Sequence, residues 1–331
     1  MARKSLTIII PVYNAEKYIA ECIESIIKQE DSGIIERIIV VVDGATDNTW
    51  IEVKKALSKA KIDTKLILQE NLGPSAARNN GMRYVETKYV TFLDADDLWT
   101  PNFCQSISPL IKESPDLIEY DAFRMNDRGV ILNTIKIAKA ESGLIKNIDK
   151  NDFLSVFRCY AWARVYKTEL IKEKLFPEDR RFEDTATTPW YYWNSKKIIS
   201  IGKPLIAYRQ HSSSILATPK LEDVFEIIRC IADAAEIYKK TNDNYWRIVV
   251  YRIFHFACQR ITKQPFRQWK KCINSALSAV DDIPPPTGFL RKLQREETLM
   301  YVFLLYVRYS VSDFSEKIIP KIILQNMFPE R

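Results

Sequence analysis

The chain opens with Leu6-Thr7-Ile8-Ile9-Ile10-Pro11-Val12-Tyr13-Asn14, an apolar, β-branched run that predicts a strand stopped by its proline. From Ala15 to Gln29 the apolar positions are Tyr18, Ile19, Cys22, Ile23, Ile26 and Ile27, the spacing of one helical face. The pattern then repeats. Arg37 to Val42 predicts a second strand, Asp43-Gly44-Ala45-Thr46-Asp47-Asn48 a turn, and Thr49 to Ala60 a second helix. Lys65 to Gln69 predicts a third strand. The loop Asn71-Leu72-Gly73-Pro74-Ser75 leads into a helix reaching about Val85, and Tyr89-Val90-Thr91-Phe92-Leu93 predicts a fourth strand. Strands alternating with helices imply an α/β fold, a mostly parallel, doubly wound sheet flanked by helices.

After about residue 218 the strand signal stops. Leu221 to Lys240, Asn244 to Thr262, Arg267 to Val280, Phe289 to Tyr309 and Phe314 to Phe328 read as helices, with Pro284-Pro285-Pro286 separating two groups. The expected organisation is an α/β domain over 1–218 and a helical region over 219–331.

Candidate chemistry concentrates at the end of the fourth strand, where Asp94-Ala95-Asp96-Asp97 follow the apolar run. In α/β sheets ligands gather at the carboxyl ends of strands. On an extended chain Asp94 and Asp96 point to the same side, and carboxylates that close repel unless a proton or cation relieves them. All-oxygen ligation favours Mg²⁺ or Mn²⁺, with substrate phosphates completing the shell. The structural alternative is a solvated acidic turn before a helix capped near Thr100-Pro101. With only 8 glycines and no G-x-G-x-x-G, neither a dinucleotide fingerprint nor a P-loop is available. Arg78, near a helix start, offers forked donors for phosphate, or else pairs with a surface acid.

Taken in order, the motifs resemble those of the inverting family 2 glycosyltransferases with the GT-A fold, of bacterial surface-polysaccharide type. They are Ile10-Pro11-Val12-Tyr13-Asn14, Val41-Val42-Asp43-Gly44-Ala45-Thr46-Asp47, Asn71-Leu72-Gly73 with Ser75 to Gly81, and Asp94-Ala95-Asp96-Asp97. The likeness covers about residues 5 to 215 and implies a GT-A, Rossmann-like sheet followed by a C-terminal helical region. By resemblance, Pro11, Tyr13 and Glu16 line a nucleotide pocket, Asp43 meets the base, usually uracil, and Arg78 lies near base or diphosphate. Asp94 then faces ribose and diphosphate, and Asp96 is the main ligand of a Mn²⁺ or Mg²⁺ cofactor. The family commonly writes Asp-Asp-Gly-Ser where this chain has Val42-Asp43-Gly44-Ala45, so the first acid and the serine are missing. That departure loosens the expectation of uridine over another base.

Glycosyl transfer with inversion needs a carboxylate to take the acceptor's proton. Glu183-Asp184 matches the family's Glu-Asp motif, in which Asp184 resembles the general base and Glu183 stands beside the substrate. It follows Tyr160-Ala161-Trp162-Ala163-Arg164-Val165-Tyr166, where Trp162 either stacks on a sugar or is a buried core residue. Tyr208-Arg209-Gln210-His211-Ser212-Ser213-Ser214-Ile215 is similar to a segment that closes over the donor diphosphate, which brings Arg209 to the diphosphate and His211 to the diphosphate or metal. The implied reaction moves a hexose or N-acetylhexosamine from a UDP-sugar to a growing glycan of lipopolysaccharide, O-antigen or capsule type. Two alternatives stand beside it. A sugar-phosphate nucleotidyltransferase would carry a Gly-rich, Arg-containing loop where Pro11-Val12-Tyr13-Asn14 stands, and a catalytically silent scaffold is motivated by Val42 and Ala45.

Composition supplies the setting. Cysteines 22, 104, 159, 230, 258 and 272 show no paired spacing, so neither a zinc site nor a disulfide scaffold is suggested and a reducing cytoplasm is expected. Met1 to Ser5 runs straight into the first strand, leaving no room for a signal peptide, and the apolar run Leu299 to Val307 is too short to span a bilayer. From residue 241 onward 14 Lys and Arg face 8 Asp and Glu, most of the chain's net +7. Interleaved with aromatics in Tyr245-Trp246-Arg247 and Phe266-Arg267-Gln268-Trp269-Lys270-Lys271, this excess suits peripheral contact with the cytoplasmic face of the inner membrane, where a lipid-linked glycan acceptor would sit. The plainer reading is a helical bundle with a solvated basic face. No nucleic-acid motif accompanies the charge.

Overall fold

The computed structural model describes residues 5–211 and 220–284, together with Val302. The helices expected over 289–309 and 314–328, Val302 apart, and the segment Ser212 to Ile215 lie outside the described residues. The chain divides into two compact units, Met1–Ala217 and Thr218–Arg331.

In the first unit the alternation becomes β1 (Leu6–Val12), α1 (Ile19–Ile27), β2 (Ile35–Asp43), α2 (Thr49–Leu57), β3 (Asp63–Gln69), α3 (Pro74–Met82) and β4 (Tyr89–Phe92). β1 pairs in parallel with β2 and β4, and β2 with β3. All of β1 is buried, which is why its sequence reads as an unbroken apolar run rather than an alternation. Ile8, Ile10, Val12, Ile38 and Val40 share one core with Ile19, Cys22, Ile23 and Ile26 of α1. On α3, a Cβ at Gly81 would lie 2.7 Å from Ile9 Cγ2, so the glycine allows helix and strand to meet closely. α1 starts later than its apolar spacing predicts, because Asn14 takes a φ of +46° and Tyr18 N–H bonds back to Ala15 O at 3.0 Å in a turn.

The remainder of the unit adds β5 (Leu98–Trp99), α4 (Phe103–Ile111), β6 (Leu117–Asn126), β7 (Ile131–Ile135), β8 (Ile145–Ile148), α5 (Lys150–Val156), β9 (Arg164–Lys167), α6 (Thr168–Glu173), α7 (Glu183–Asn194) and β10 (Ile198–Gln210). The strand order is β3-β2-β1-β4-β9-β6-β10-β5, with β7 on β6 and β8 on β10. β9 runs antiparallel between β4 and β6, whereas β10 is parallel to β6 and antiparallel to β5 and β8. The sheet is therefore mixed: β3, β2, β1 and β4 are wholly parallel, and antiparallel pairs dominate beyond them. A buried polar network ties α7 to this region. The Glu119 carboxylate accepts from Tyr192 Oη, from Ser200 Oγ at 2.6 Å and from Lys139 N–H at 2.7 Å, while Arg164 Nε donates to Tyr192 Oη at 2.9 Å.

The second unit contains α8 (Leu221–Thr241), α9 (Asn244–Ile261) and α10 (Phe266–Ser278), close to the expected bounds. Tyr245, Trp246 and Trp269 are buried in it, so these aromatics fill helix seams rather than interleave with the surface cations as expected from sequence. Among the described residues no helix is long and apolar enough to cross a membrane, and all six cysteines are buried free thiols.

Candidate active site

The loops after β1 and β2 hold each other. Asn14 Oδ1 accepts from Thr46 N–H at 2.8 Å, and Glu16 Oε2 accepts from Asn48 N–H at 3.0 Å and Asn48 Nδ2 at 3.1 Å. Glu16 thus stitches the two loops together, with Pro11 buried behind it and Tyr13 exposed beside it. Asp43 is buried at the end of β2. Its Oδ1 accepts from Gln69 Nε2 and Leu72 N–H, and its Oδ2 from Gly73 N–H, each at 2.8 Å. The carboxylate therefore shapes the loop leading into α3. Gly44 is required beside it: at a φ of +65°, a Cβ there would lie 2.5 Å from Asn71 N. An open cavity of about 260 Å³ adjoins this corner, lined by Val42, Gly44, Ala45, Trp50, Leu68 and Gln69. No acid lines it, and the two residues that depart from the family's motif, Val42 and Ala45, do.

Asp94 to Asp97 do not continue the strand. Asp97 N–H bonds to Asp94 O at 3.0 Å, closing a turn, so Asp94 and Asp96 turn to different partners rather than standing on one side of an extended chain. Asp94 Oδ1 accepts from Arg78 Nη2 at 3.0 Å, and Asp96 Oδ2 lies 2.8 Å from His211 Nε2. Asp97, fully buried, accepts Arg209 N–H on Oδ1 at 2.8 Å, while its Oδ2 is buried with no partner. Burial pushes the Asp97 carboxyl well above the usual range, and the charges of Asp96 and Asp94 push it further. Asp94 is likewise raised by burial, against the pull of Arg78. Carboxylates that repel one another are the oxygen donors that Mn²⁺ or Mg²⁺ takes, and Asp96 is the one of the three whose partly exposed carboxylate lies beside an imidazole. Among the described residues no group of three or more His, Cys, Asp and Glu side chains is arranged to hold a metal ion. A cation held by Asp96 and His211 alone would have to take its other ligands from substrate or water.

Arg209 holds this corner from within. Its Nε donates to Asp96 O at 2.9 Å, Nη1 to Asp127 O at 3.1 Å and Nη2 to Glu21 Oε2 at 2.6 Å. Every guanidinium nitrogen has a protein partner, so Arg209 clamps this corner together. Its charge lies 5.2 Å from the Tyr18 ring, which stacks on His211 at 4.8 Å, and Tyr18 Oη donates to Asp127 Oδ1 at 2.7 Å. Tyr18, Glu21, Asp97 and Asp127 are site residues to which the sequence reading gave no role. In sequence Tyr18 reads only as an apolar position of the predicted first helix, and nothing marks Asp127 in a hairpin turn.

Arg78 is buried and joins two motifs: Nη2 binds Asp94, and Nη1 donates to Glu183 Oε1 at 2.5 Å. Its Nε is buried without a partner. The surface pairing offered by the sequence is replaced by an internal bridge. Phe182, at a φ of +60°, turns the chain into α7 and sets Glu183 and Asp184 in its first turn. Asp184 Oδ1 accepts Thr185 N–H at 2.6 Å, and burial, then the neighbouring Glu183 charge, push its carboxyl up to about 7. Trp162 is 3% exposed and packs against Tyr160 at 4.9 Å and Tyr208 at 5.4 Å. Of its two readings, the core one holds, and sugar stacking is withdrawn.

A sheet presenting acids after β4 and a second acidic pair at the head of α7 has the GT-A type of architecture. The chain belongs to glycosyl transferase family 2, whose model matches residues 7–175. Among curated relatives, GlyG of Streptococcus pneumoniae is 30% identical over 228 residues, 64% of this chain and 73% of GlyG. GlyA of the same organism is 31% identical over 219 residues, 63% of this chain but only 31% of GlyA. The poly(ribitol-phosphate) beta-N-acetylglucosaminyltransferase TarS of Staphylococcus aureus is 26% identical over 295 residues, 83% of this chain and 50% of TarS. The chain thus spans about a third of GlyA and half of TarS. A crystal structure of S. aureus TarS 1-349 in complex with UDP-GlcNAc superposes with a TM-score of 0.71 at 22% identity, over 91% of this chain and 89% of that one, a likeness of fold.

Proposed function

We propose that this chain is a metal-dependent inverting glycosyltransferase that moves a hexose or N-acetylhexosamine from a UDP-sugar to a hydroxyl of a growing, lipid-linked surface glycan at the cytoplasmic side of a membrane. The observation that carries the proposal is the Arg78 bridge, which links Asp94 to Glu183 and so ties the acids after β4 to the helix turn bearing Asp184. In this reading the nucleotide rests against Pro11, Tyr13, Glu16 and Asp43, and the diphosphate lies toward Asp94 and Arg78. Mn²⁺ or Mg²⁺ held by Asp96 and His211 would supply positive charge to the departing diphosphate. Asp184 takes the proton of the acceptor hydroxyl as that oxygen bonds to the anomeric carbon from the face opposite UDP. The bond to UDP breaks, and its electron pair leaves with the diphosphate. A carboxyl near 7 suits a base that must accept a proton and release it at neutral pH.

UDP-GlcNAc is the first donor to try, since TarS was crystallised with it. The test is UDP release across a panel of UDP-sugars with Mn²⁺, Mg²⁺ or EDTA, with and without lipid-linked glycans. Release that needs metal and is confined to one donor supports the reading. A folded protein that neither releases nor binds UDP refutes it. Asp184→Asn is expected to cut transfer by about 10²–10⁴-fold while UDP affinity, read by calorimetry, stays unchanged. Asp96→Ala should abolish the metal dependence, and an unaltered Mn²⁺ activation curve would remove Asp96 from the ligand set.

A further inference from the structure

Between residues 244 and 280 the chain carries seven Lys and Arg and no Asp or Glu. Burial sorts this excess. On α10, Trp269, Cys272, Ile273, Ala276 and Leu277 face inward, which leaves Phe266, Arg267, Lys270 and Lys271 exposed at the helix start. Lys263, in the α9–α10 turn, is exposed beside them. Among the described residues none of Lys263, Arg267 and Lys270 has an ion-pair partner. Phe266 is 72% exposed, more than any other large apolar side chain described, although the same unit buries Tyr245, Trp246 and Trp269. The corner is held in shape from behind: Trp269 Nε1 donates to Gln264 O at 2.9 Å, Gln264 Nε2 to Lys220 O at 3.3 Å, and the Phe266 ring rests 5.2 Å from Trp269.

We infer that this corner docks the protein on an anionic lipid surface, with Phe266 entering the headgroup–acyl boundary and Lys263, Arg267 and Lys270 meeting lipid phosphates. The inference deepens the membrane-side part of the reading above and stands on this unit alone. An aromatic ring on a fixed corner ringed by unpaired cations is what an anionic interface recognises, and the positive end of the α10 dipole adds to the attraction. A soluble polyanion would use the cations but gain nothing from the exposed ring.

The experiment is sedimentation of the intact protein with vesicles of phosphatidylcholine alone or containing about 30% phosphatidylglycerol, without donor or acceptor. Wild type should pellet with the anionic vesicles only, and less as salt rises. Lys263→Gln/Arg267→Gln/Lys270→Gln should lower partitioning by about 10²-fold, at roughly fivefold per charge. Phe266→Glu should release the protein with the cations intact. Lys54→Gln/Lys55→Gln/Lys112→Gln, which removes the same charge from the other unit, should retain most of the binding. Thermal unfolding of each variant should match wild type, since every altered side chain is exposed. No binding by wild type, equal losses in both triple variants, or capture by soluble polyphosphate in place of vesicles would each overturn the inference. Because no nucleotide sugar is present, a protein inactive as a transferase can still pass, and an active one can still fail.

Discussion

Arg78 joins the two acidic motifs of the site, because one buried guanidinium serves carboxylates from both. Arg78→Ala would leave Glu183 and Asp94 facing each other without a cation, and a loss of about 3 kcal/mol is expected on urea unfolding, the usual cost of breaking a buried pair. Arg78→Lys keeps the charge but not the fork and should recover only part of it. Asp184 makes a prediction with a definite sign. Its folded carboxyl, raised to about 7 from an ordinary value of 3.8, holds a proton more tightly than the unfolded chain does. The associated stability is full below the unfolded value and is lost as pH rises through about 7. Asp184→Asn, neutral throughout, should therefore gain on wild type in melting temperature by a margin that grows from about pH 4 to pH 8; a difference that stays constant over that range would refute the raised carboxyl. The residue types of this site were legible in sequence, since acids after an apolar run and a Glu-Asp pair are local signals. Their partners were not: Arg78 and Glu183 lie 105 positions apart, and only the fold brings them to 2.5 Å.

At the scale of elements, the same contrast follows burial. β1, β2 and β4 were readable because strands covered on both faces are almost wholly apolar. β6 was not, because Glu119 and Asp121 sit buried within it. They are there to serve a loop: Asp121 Oδ1 accepts from Ile137 and Ala138 N–H at 2.8 Å, and Glu119 takes Lys139 N–H. Charged residues that replace a missing ladder for a crossing chain look like surface in a sequence. β7 hides differently, with all but Ile135 exposed and so no alternation to read. The end of that loop meets β10 at Gly202, where Gly202 N–H bonds to Leu144 O at 2.8 Å and a Cβ would stand 1.7 Å from Glu141 O. Gly202→Ala should force loop and strand apart and cost about 1–3 kcal/mol, with faster hydrogen exchange at Gly143 and Gly202.

For the whole molecule, the Arg78 bridge sets a rule for recombination. Its cation comes from α3, in the wholly parallel part of the sheet, and one of its anions from α7, beyond the antiparallel strands. A chimera that takes residues before β5 from one relative and the rest from another inherits one end of the pair from each parent. Where the second parent lacks an acid at the Glu183 position, Arg78 enters the hybrid as a buried charge with half its partners, and such crossovers should fold poorly however well their strands match. Grafts that carry both ends together should survive, so the boundary for exchanging donor or acceptor preference lies outside the stretch from Arg78 to Glu183 rather than at the midpoint of the sheet.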